Sequence, residues 1–234
     1  MDDPYIDKKT GILKNKVKAT TQEQLSQIEI EYSGYRIEKL AKLDKVYGNF
    51  DLAHSRAIHK TIFQDVYPWA GEVRKVNISK GDTAFAHNEF IESSFNKLSN
   101  ELKKENYLRG SSPDKFAERA AYYMGEINMI HPFREGNGRT QRLFINDLAK
   151  VNGYEIDLKK MGHAKEAMIE ASISAEDMDY APLTKLIRDN LVKLDKPIER
   201  IDPTQTLNKT QPTKQQSKTV KTLDKPKQEP DIER

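Results

Sequence analysis

Between Ser112 and Gly153 the chain reads as two helices joined by HPFREGNGR (131–139), and this pairing limits the possible folds more than any other feature. Ser112-Pro113 is a helix start: a cap residue followed by proline, whose missing N–H costs nothing at the first helical position. From there Phe116, Ala120, Tyr123, Met124, Ile127 and Ile130 recur at steps of three and four, which puts them on one helix face. That face is core, and it delivers the chain to His131. The next helix is expected from near Arg139 to Val151, with Asn152-Gly153 as a left-handed stop.

The same periodicity extends on both sides. TQEQLSQIEIEYSGYRIEKLAKL (21–43) is rich in helix formers, and DLAHSRAIHKTIFQDVYPW (51–69) repeats apolar residues at helical spacing until Pro68. A last helix is expected over about 181–194, with Leu183, Ile187 and Leu194 on one side. One stretch breaks the pattern. In VRKVNISKGDTAFAH (73–87), Val76 and Ile78 alternate with polar residues and Lys80-Gly81-Asp82 punctuates, which reads as a short β-hairpin. Because a lone hairpin is marginal in water, it must pack on the helices or act as a docking edge. The expected fold is therefore an all-α helical bundle carrying one β-hairpin flap, without internal repeats.

Charge sets the domain boundary. From Lys196 onward there are nine basic and six acidic residues, out of 39 and 36 in the whole chain, which leaves thirty of each sign before it. The net charge of +3 thus belongs to a Thr/Gln/Lys/Pro-rich segment with no glycine and no aromatic residue. Such a segment cannot bury enough apolar surface to order itself, so residues 1–195 are expected to be the domain and 196–234 a disordered basic tail or linker. Acids interrupt the tail's basic residues, against a nucleic-acid-binding arm. The absence of cysteine excludes disulfides and thiolate metal sites. No apolar run approaches membrane-spanning length and the N-terminus lacks a signal-peptide pattern, so a cytoplasmic protein without membrane contact is expected.

HPFREGNGR concentrates the chemistry. The chain has neither a G-x-x-x-x-G-K-[ST] phosphate loop nor a G-x-G-x-x-G dinucleotide site, and no H-E-x-x-H. Gly136-Asn137-Gly138 can turn sharply and bring bare N–H groups to an anion, and the start of the following helix adds unpaired N–H groups and a favourable dipole. Arg139 and Arg142 lie three apart on that helix, hence on one face, and both can reach a phosphate chain; the Asn137 amide can bridge a phosphate oxygen. Glu135 beside clustered phosphates calls for a cation, and Mg²⁺ prefers one or two carboxylates plus phosphate oxygens. His131 is the candidate general base, as the nearby group that titrates near neutrality. Together these describe transfer of a phosphorus-containing group from a nucleotide to a hydroxyl.

HPFREGNGRTQR (131–142) resembles the signature of Fic-domain proteins, H-P-F-x-[DE]-G-N-G-R-x-x-R, without a mismatch. DPYID…TGILKN (3–15), YPWAGEVRKVNISKGDTAFAH (67–87), YYMGEINMI (122–130) and EDMDYAPLTKLI (176–187) are similar to their counterparts in bacterial Fic proteins, so the resemblance covers roughly residues 3–195. It implies protein adenylyl transfer, in which AMP passes from ATP to a Tyr, Thr or Ser hydroxyl of a target protein and pyrophosphate leaves. His131 would deprotonate the hydroxyl and Glu135 would hold Mg²⁺. Phe133, Arg134, Gly136, Asn137, Gly138 and Arg139 would form the ATP site, and Arg142 would engage the γ-phosphate. Lys80, Gly81, Asp82 and Thr83 of the flap would cover the nucleotide and register the target as an added strand.

The resemblance also carries rivals and a mode of control. A Fic-type kinase, an enzyme removing AMP, and a non-catalytic nucleotide-responsive binding module are the alternatives. The intact Gly136, Arg142 and His131 favour AMP transfer. Many relatives carry an inhibitory helix with [ST]-x-x-x-E-[GN], and none is found here; Ser172…Glu176-Asp177 is a near miss in what reads as a core helix. This implies the subclass restrained by a separate small antitoxin bearing that helix. Type II topoisomerase subunits or host GTPases are the implied targets, the latter after translocation into a host cell.

Overall fold

The computed structural model describes residues 3–81 and 83–202, the side chains of His163 and Lys165 excepted. Asp82 and most of the expected tail, 203–234, lie outside the described residues. Eight α-helices and three two-stranded sheets make up the described chain. The order is α1 (Gln22–Ala41), β1 (Lys45–Tyr47), α2 (Leu52–Phe63), β2 (Ser79–Lys80), β3 (Thr83–Ala84), α3 (Ile91–Lys104), α4 (Pro113–Ile130), α5 (Asn137–Val151), β4 (Tyr154–Ile156), α6 (Leu158–His163), α7 (Lys165–Ser174), α8 (Ala181–Asp189), β5 (Leu191–Lys193) and β6 (Glu199–Ile201).

Helix α4 is the axis. Ser112 caps it by accepting from the Lys115 N–H, Pro113 sits in its first turn, and Phe116, Ala120, Tyr123, Met124, Ile127 and Ile130 are all buried, as the spacing requires. It packs on α3, α5 and α8. Gly125 permits the α8 side to close in, because a Cβ there would stand 2.7 Å from the Tyr180 ring. In helix α5, Leu143, Phe144, Ile145, Leu148 and Val151 are buried among α2, α4 and β4. Packing of α4 and α5 therefore fixes both ends of the intervening loop to the centre of the core.

Several elements differ from the sequence pattern for identifiable reasons. Helix α5 starts at Asn137, two residues before the expected point, since left-handed Gly136 (φ 82°) is its N-cap. Helix α2 ends at Phe63, short of Pro68, in turns in which the Val66 and Tyr67 N–H groups both donate to the Phe63 carbonyl. The segment expected to finish the last helix instead forms β5, antiparallel to β4 in the register Tyr154↔Lys193. The flap is a hairpin, but its ladder is confined to Ser79↔Ala84 and Lys80↔Thr83. Nearer its base, the Arg74 side chain takes the Val76 and Ala86 carbonyls, so a guanidinium replaces the backbone ladder there. Helix α3, with Ile91, Phe95, Leu98 and Leu102 buried, had no counterpart in the sequence reading. Strand β6 lies past the boundary expected at 195 and pairs in parallel with β1.

Asn146 ties β4 to α5. Its Oδ1 accepts from the Ile156 N–H at 2.7 Å and the side chain is buried. Asn146→Ala leaves that buried donor unpaired, and the expected loss is about 1–3 kcal/mol, read as a lower urea midpoint with an unchanged slope.

Candidate active site

The loop between α4 and α5 is held by side chains that arrive from elsewhere and take its backbone groups. The Asn137 Oδ1 accepts from the Phe133 N–H at 2.8 Å, while its Nδ2 donates to the Phe133 carbonyl at 2.7 Å. This buried amide thus staples the loop to itself. His59 of α2 supports the next turn: its Nδ1 accepts from the Gly71 N–H at 2.8 Å and its Nε2 donates to the Glu135 carbonyl at 3.0 Å. That pattern makes His59 neutral, and burial pushes its pKa down to about 4. Phe133, also buried, stacks on His59 with ring centroids 4.0 Å apart, so it is an anchor beneath the loop.

Beneath Gly136 lies the Phe63 ring, which a Cβ at Gly136 would meet at 2.2 Å. Glycine is required twice over, by this contact and by φ 82°. The turn leaves the first N–H groups of α5, those of Asn137, Gly138 and Arg139, without partners inside the helix; the ladder begins with Thr140 N–H to the Gly136 carbonyl. Three N–H groups at a helix N-terminus suit an anion. Arg142 overlooks them: its Nη1 lies 3.4 Å from where a Gly138 Cβ would be. Among the described residues Arg142 has no hydrogen-bonded or ionic partner, and burial together with neighbouring Arg139 lowers its pKa.

His131 ends α4 in the left-handed region (φ 46°, ψ 63°). Its Nδ1 is 3.0 Å from the Asn128 carbonyl, which can only accept, so Nδ1 carries the proton and Nε2 keeps a free lone pair. Phe85, which follows β3, stacks on the imidazole with centroids 3.6 Å apart and planes 16° from parallel. Under this cover the His131 pKa falls to about 4, mainly through burial, with the Arg74 and Lys80 charges acting in the same direction. Arg74 is the less familiar neighbour. It is buried, and its hydrogen bonds among the described residues run to the carbonyls of His131, Val76, Ala86 and Ile130. One guanidinium thereby locks the flap base to the backbone of the candidate base.

The remaining expected site residues each have contacts of their own. Arg134 pairs with Asp3, its Nε donating at 2.8 Å. Arg139 Nη1 donates to the Ser33 hydroxyl at 2.9 Å and its Nη2 to Glu29, both on α1, with the guanidinium 4.7 Å from the Phe63 ring centroid. In the flap, Lys80 lies close enough to bear on His131, Gly81 is left-handed (φ 58°), and Thr83 donates to Glu176 at 2.7 Å. Glu176 lies in a 3-10 turn after α7, in contact with the flap, rather than inside a core helix. Glu135 accepts from the Gly136 N–H at 2.8 Å, with nearly half of its side chain exposed at the loop's open face. No group of three or more metal-binding side chains exists among the described residues. A single open carboxylate suits Mg²⁺ held mainly by phosphate oxygens.

A helical bundle bearing unpaired N–H groups at a helix start, an imidazole with an open Nε2 and an overlying hairpin makes a site suited to a phosphate-bearing ligand. The family model described as Fic/DOC family matches residues 49–149. A probable protein adenylyltransferase of Sinorhizobium fredii is 38% identical over 189 residues, 80% of this chain and 95% of that protein. A protein adenylyltransferase of Bartonella schoenbuchensis is 40% identical over 207 residues, 88% of this chain; the match spans 42% of that protein's length. The crystal structure of the N-terminal Fic domain of a VirB-translocated Bep effector from Bartonella quintana, with bound ADP, superposes with a TM-score of 0.75 at 29% identity, covering 82% of this chain and 95% of that one. The chain belongs to the Fic/DOC family.

Sequence reasoning missed Arg74, His59, Phe85, Glu29 and Ser33. The burial of His131 gives a direct test by NMR of the free protein, with the two resonances assigned through His131→Gln and His59→Gln. Both imidazoles should titrate near pH 4, well below the usual 6.5. The unfolded chain then binds protons first, so stability should fall as pH drops from about 6.5 toward 4. A His131 midpoint near 6.5 would mean that Phe85 and the flap do not cover it.

Proposed function

We propose that the chain is a protein adenylyltransferase, transferring AMP from ATP to a hydroxyl of a target protein. The observation that carries this reading is the pairing of an unprotonated His131 Nε2 with partnerless Arg142 and three free N–H groups on one loop. A target hydroxyl attacks the α-phosphorus, forming the new P–O bond; the α–β phosphoanhydride breaks and pyrophosphate leaves. His131 Nε2 takes the hydroxyl proton. The N–H groups of Asn137, Gly138 and Arg139 hold phosphate oxygens without reorganising, and Arg142 engages the terminal phosphates. Glu135 is positioned to hold Mg²⁺, which would offset phosphate charge. Relatives named as adenylyltransferases and the ADP bound in the Bartonella quintana Fic domain support the nucleotide assignment.

The flap supplies the target's docking edge. Among the described residues strands β2 and β3 pair only with each other, which leaves their outer edges for strand addition by a peptide carrying the hydroxyl. We propose Lys80, Gly81, Asp82 and Thr83 as the residues that register it. We also propose control by a separate small antitoxin, which the partnerless Arg142 supports: a helix presenting Glu in the [ST]-x-x-x-E-[GN] pattern would pair with it and displace the terminal phosphate. No helix of the described residues is long and apolar enough to cross a membrane. Action in the bacterial cytoplasm on a type II topoisomerase subunit, or on a host GTPase after translocation, remains the proposal for location and target; relatives described as VirB-translocated effectors support the second route.

Incubation with a target-containing lysate and ATP labelled at either the α- or the γ-phosphate tests the reaction. Label from the α-phosphate should enter protein and label from the γ-phosphate should not. Protein-bound γ-label would make the chain a kinase, and binding without incorporation would make it a binding module. His131→Ala should slow transfer by about 10²–10⁴-fold while leaving ATP affinity near the wild-type value.

A further inference from the structure

Helix α1 reaches the active loop through a buried acid that belongs to no motif. Glu29 is 8% exposed. Its carboxylate accepts from the Arg139 Nη2 and from the Tyr67 hydroxyl, and Ser33, one turn along the same face, accepts from the Arg139 Nη1 at 2.9 Å. The guanidinium lies over the Phe63 ring, the same ring that fills the space beneath Gly136. Tyr67 in turn stacks on Trp69, with centroids 4.4 Å apart. Burial, followed by the Glu29 carboxylate, pushes the Tyr67 pKa up, so this hydroxyl stays protonated and donating.

Each partner limits what Arg139 can do. A buried carboxylate is stable only while its donors stay in place, and losing one leaves an unpaired charge out of water. To fork onto a phosphate, Arg139 would have to leave Glu29, Ser33 and the Phe63 face together. Arg142, three residues along, has none of these ties among the described residues. The two arginines of G-N-G-R-x-x-R therefore occupy different environments, although their spacing puts them on one helix face.

We propose that Glu29 is a positioning residue of the transfer reaction: with Ser33 and Tyr67 it holds Arg139 on α1, which orients the first turn of α5, and Arg142 is left to meet the phosphates. The inference rests on the adenylyl-transfer reading but concerns how the anion loop is oriented. It also makes α1 part of the active site.

The experiment uses the full chain and the variants Glu29→Gln, Arg139→Gln, their double variant, and Arg142→Gln. It measures affinity for ADP and for ATP, the KM and kcat of transfer, and the thermal midpoint. With Arg139 as a positioning residue, Arg139→Gln and Glu29→Gln each lower kcat on the order of 10–100-fold, the effect of small misplacement at a reacting centre. The ratio of ATP to ADP affinity stays at the wild-type value in both, and the double variant is no worse than the worse single one, since both remove one interaction. Arg142→Gln alone lowers that ratio. Three results would overturn the proposal: a ratio lowered by Arg139→Gln as by Arg142→Gln, ATP binding tightened by Glu29→Gln, or a Glu29→Gln variant with a lower thermal midpoint but wild-type kcat. Should Glu29→Gln fail to fold, Ser33→Ala and Tyr67→Phe test the same hold with milder changes and the same readouts. If the wild-type chain transfers nothing, the adenylyl-transfer reading fails by itself, and the affinity ratios still decide which arginine meets the phosphates.

Discussion

The Asn137 amide spans one turn of backbone, giving its oxygen to the Phe133 N–H and its nitrogen to the Phe133 carbonyl. An anion loop faces two opposed demands: its N–H groups must point outward and stay unpaired, yet the backbone around them must be satisfied within the core. The amide meets the second demand so that the first can stand. His59 does the same for the Glu135 carbonyl and Arg74 for the His131 carbonyl. Each of these buried side chains takes a backbone oxygen that would otherwise compete for the free N–H groups. The loop's backbone is thereby satisfied without a ligand, and dipoles fixed in advance contribute most to a reaction.

The charges around the loop are arranged for a ligand that brings its own. Arg74 is buried with carbonyls for partners, Arg142 is shielded and partnerless among the described residues, and His131 is held neutral. A polyphosphate would supply the missing negative charge, in a setting where burial strengthens each contact. Arg139 is the exception because Glu29 already neutralises it. Burial is the main cause of the lowered His131 pKa, and the Arg74 and Lys80 charges act in the same direction.

The sequence revealed the site far better than its supports. HPFREGNGRTQR showed the loop, the candidate base and both arginines because their positions depend on spacing along two adjacent helices, and the α4 face was visible at steps of three and four. The supports lie far away in sequence: His59, Arg74 and Glu29 approach the loop only once α1, α2 and the flap have packed. None carries a local pattern that distinguishes it from an ordinary polar residue. The hairpin was legible as a turn but not in extent, since the alternation of Val76 and Ile78 says nothing of a guanidinium that displaces the ladder. Periodicity likewise could not tell the end of α8 from β5, whose partner strand β4 is distant in sequence.

The account stands on His131 acting as a base toward the attacking hydroxyl and not as the nucleophile. ATP carrying sulfur at a single stereoisomeric α-phosphorus separates the two, because each displacement at phosphorus inverts its configuration. Direct attack by the target hydroxyl, with Nε2 taking the proton, predicts that the transferred thio-AMP group has inverted configuration. Retained configuration would mean two displacements through an adenylylated protein side chain, and would contradict the role assigned to His131.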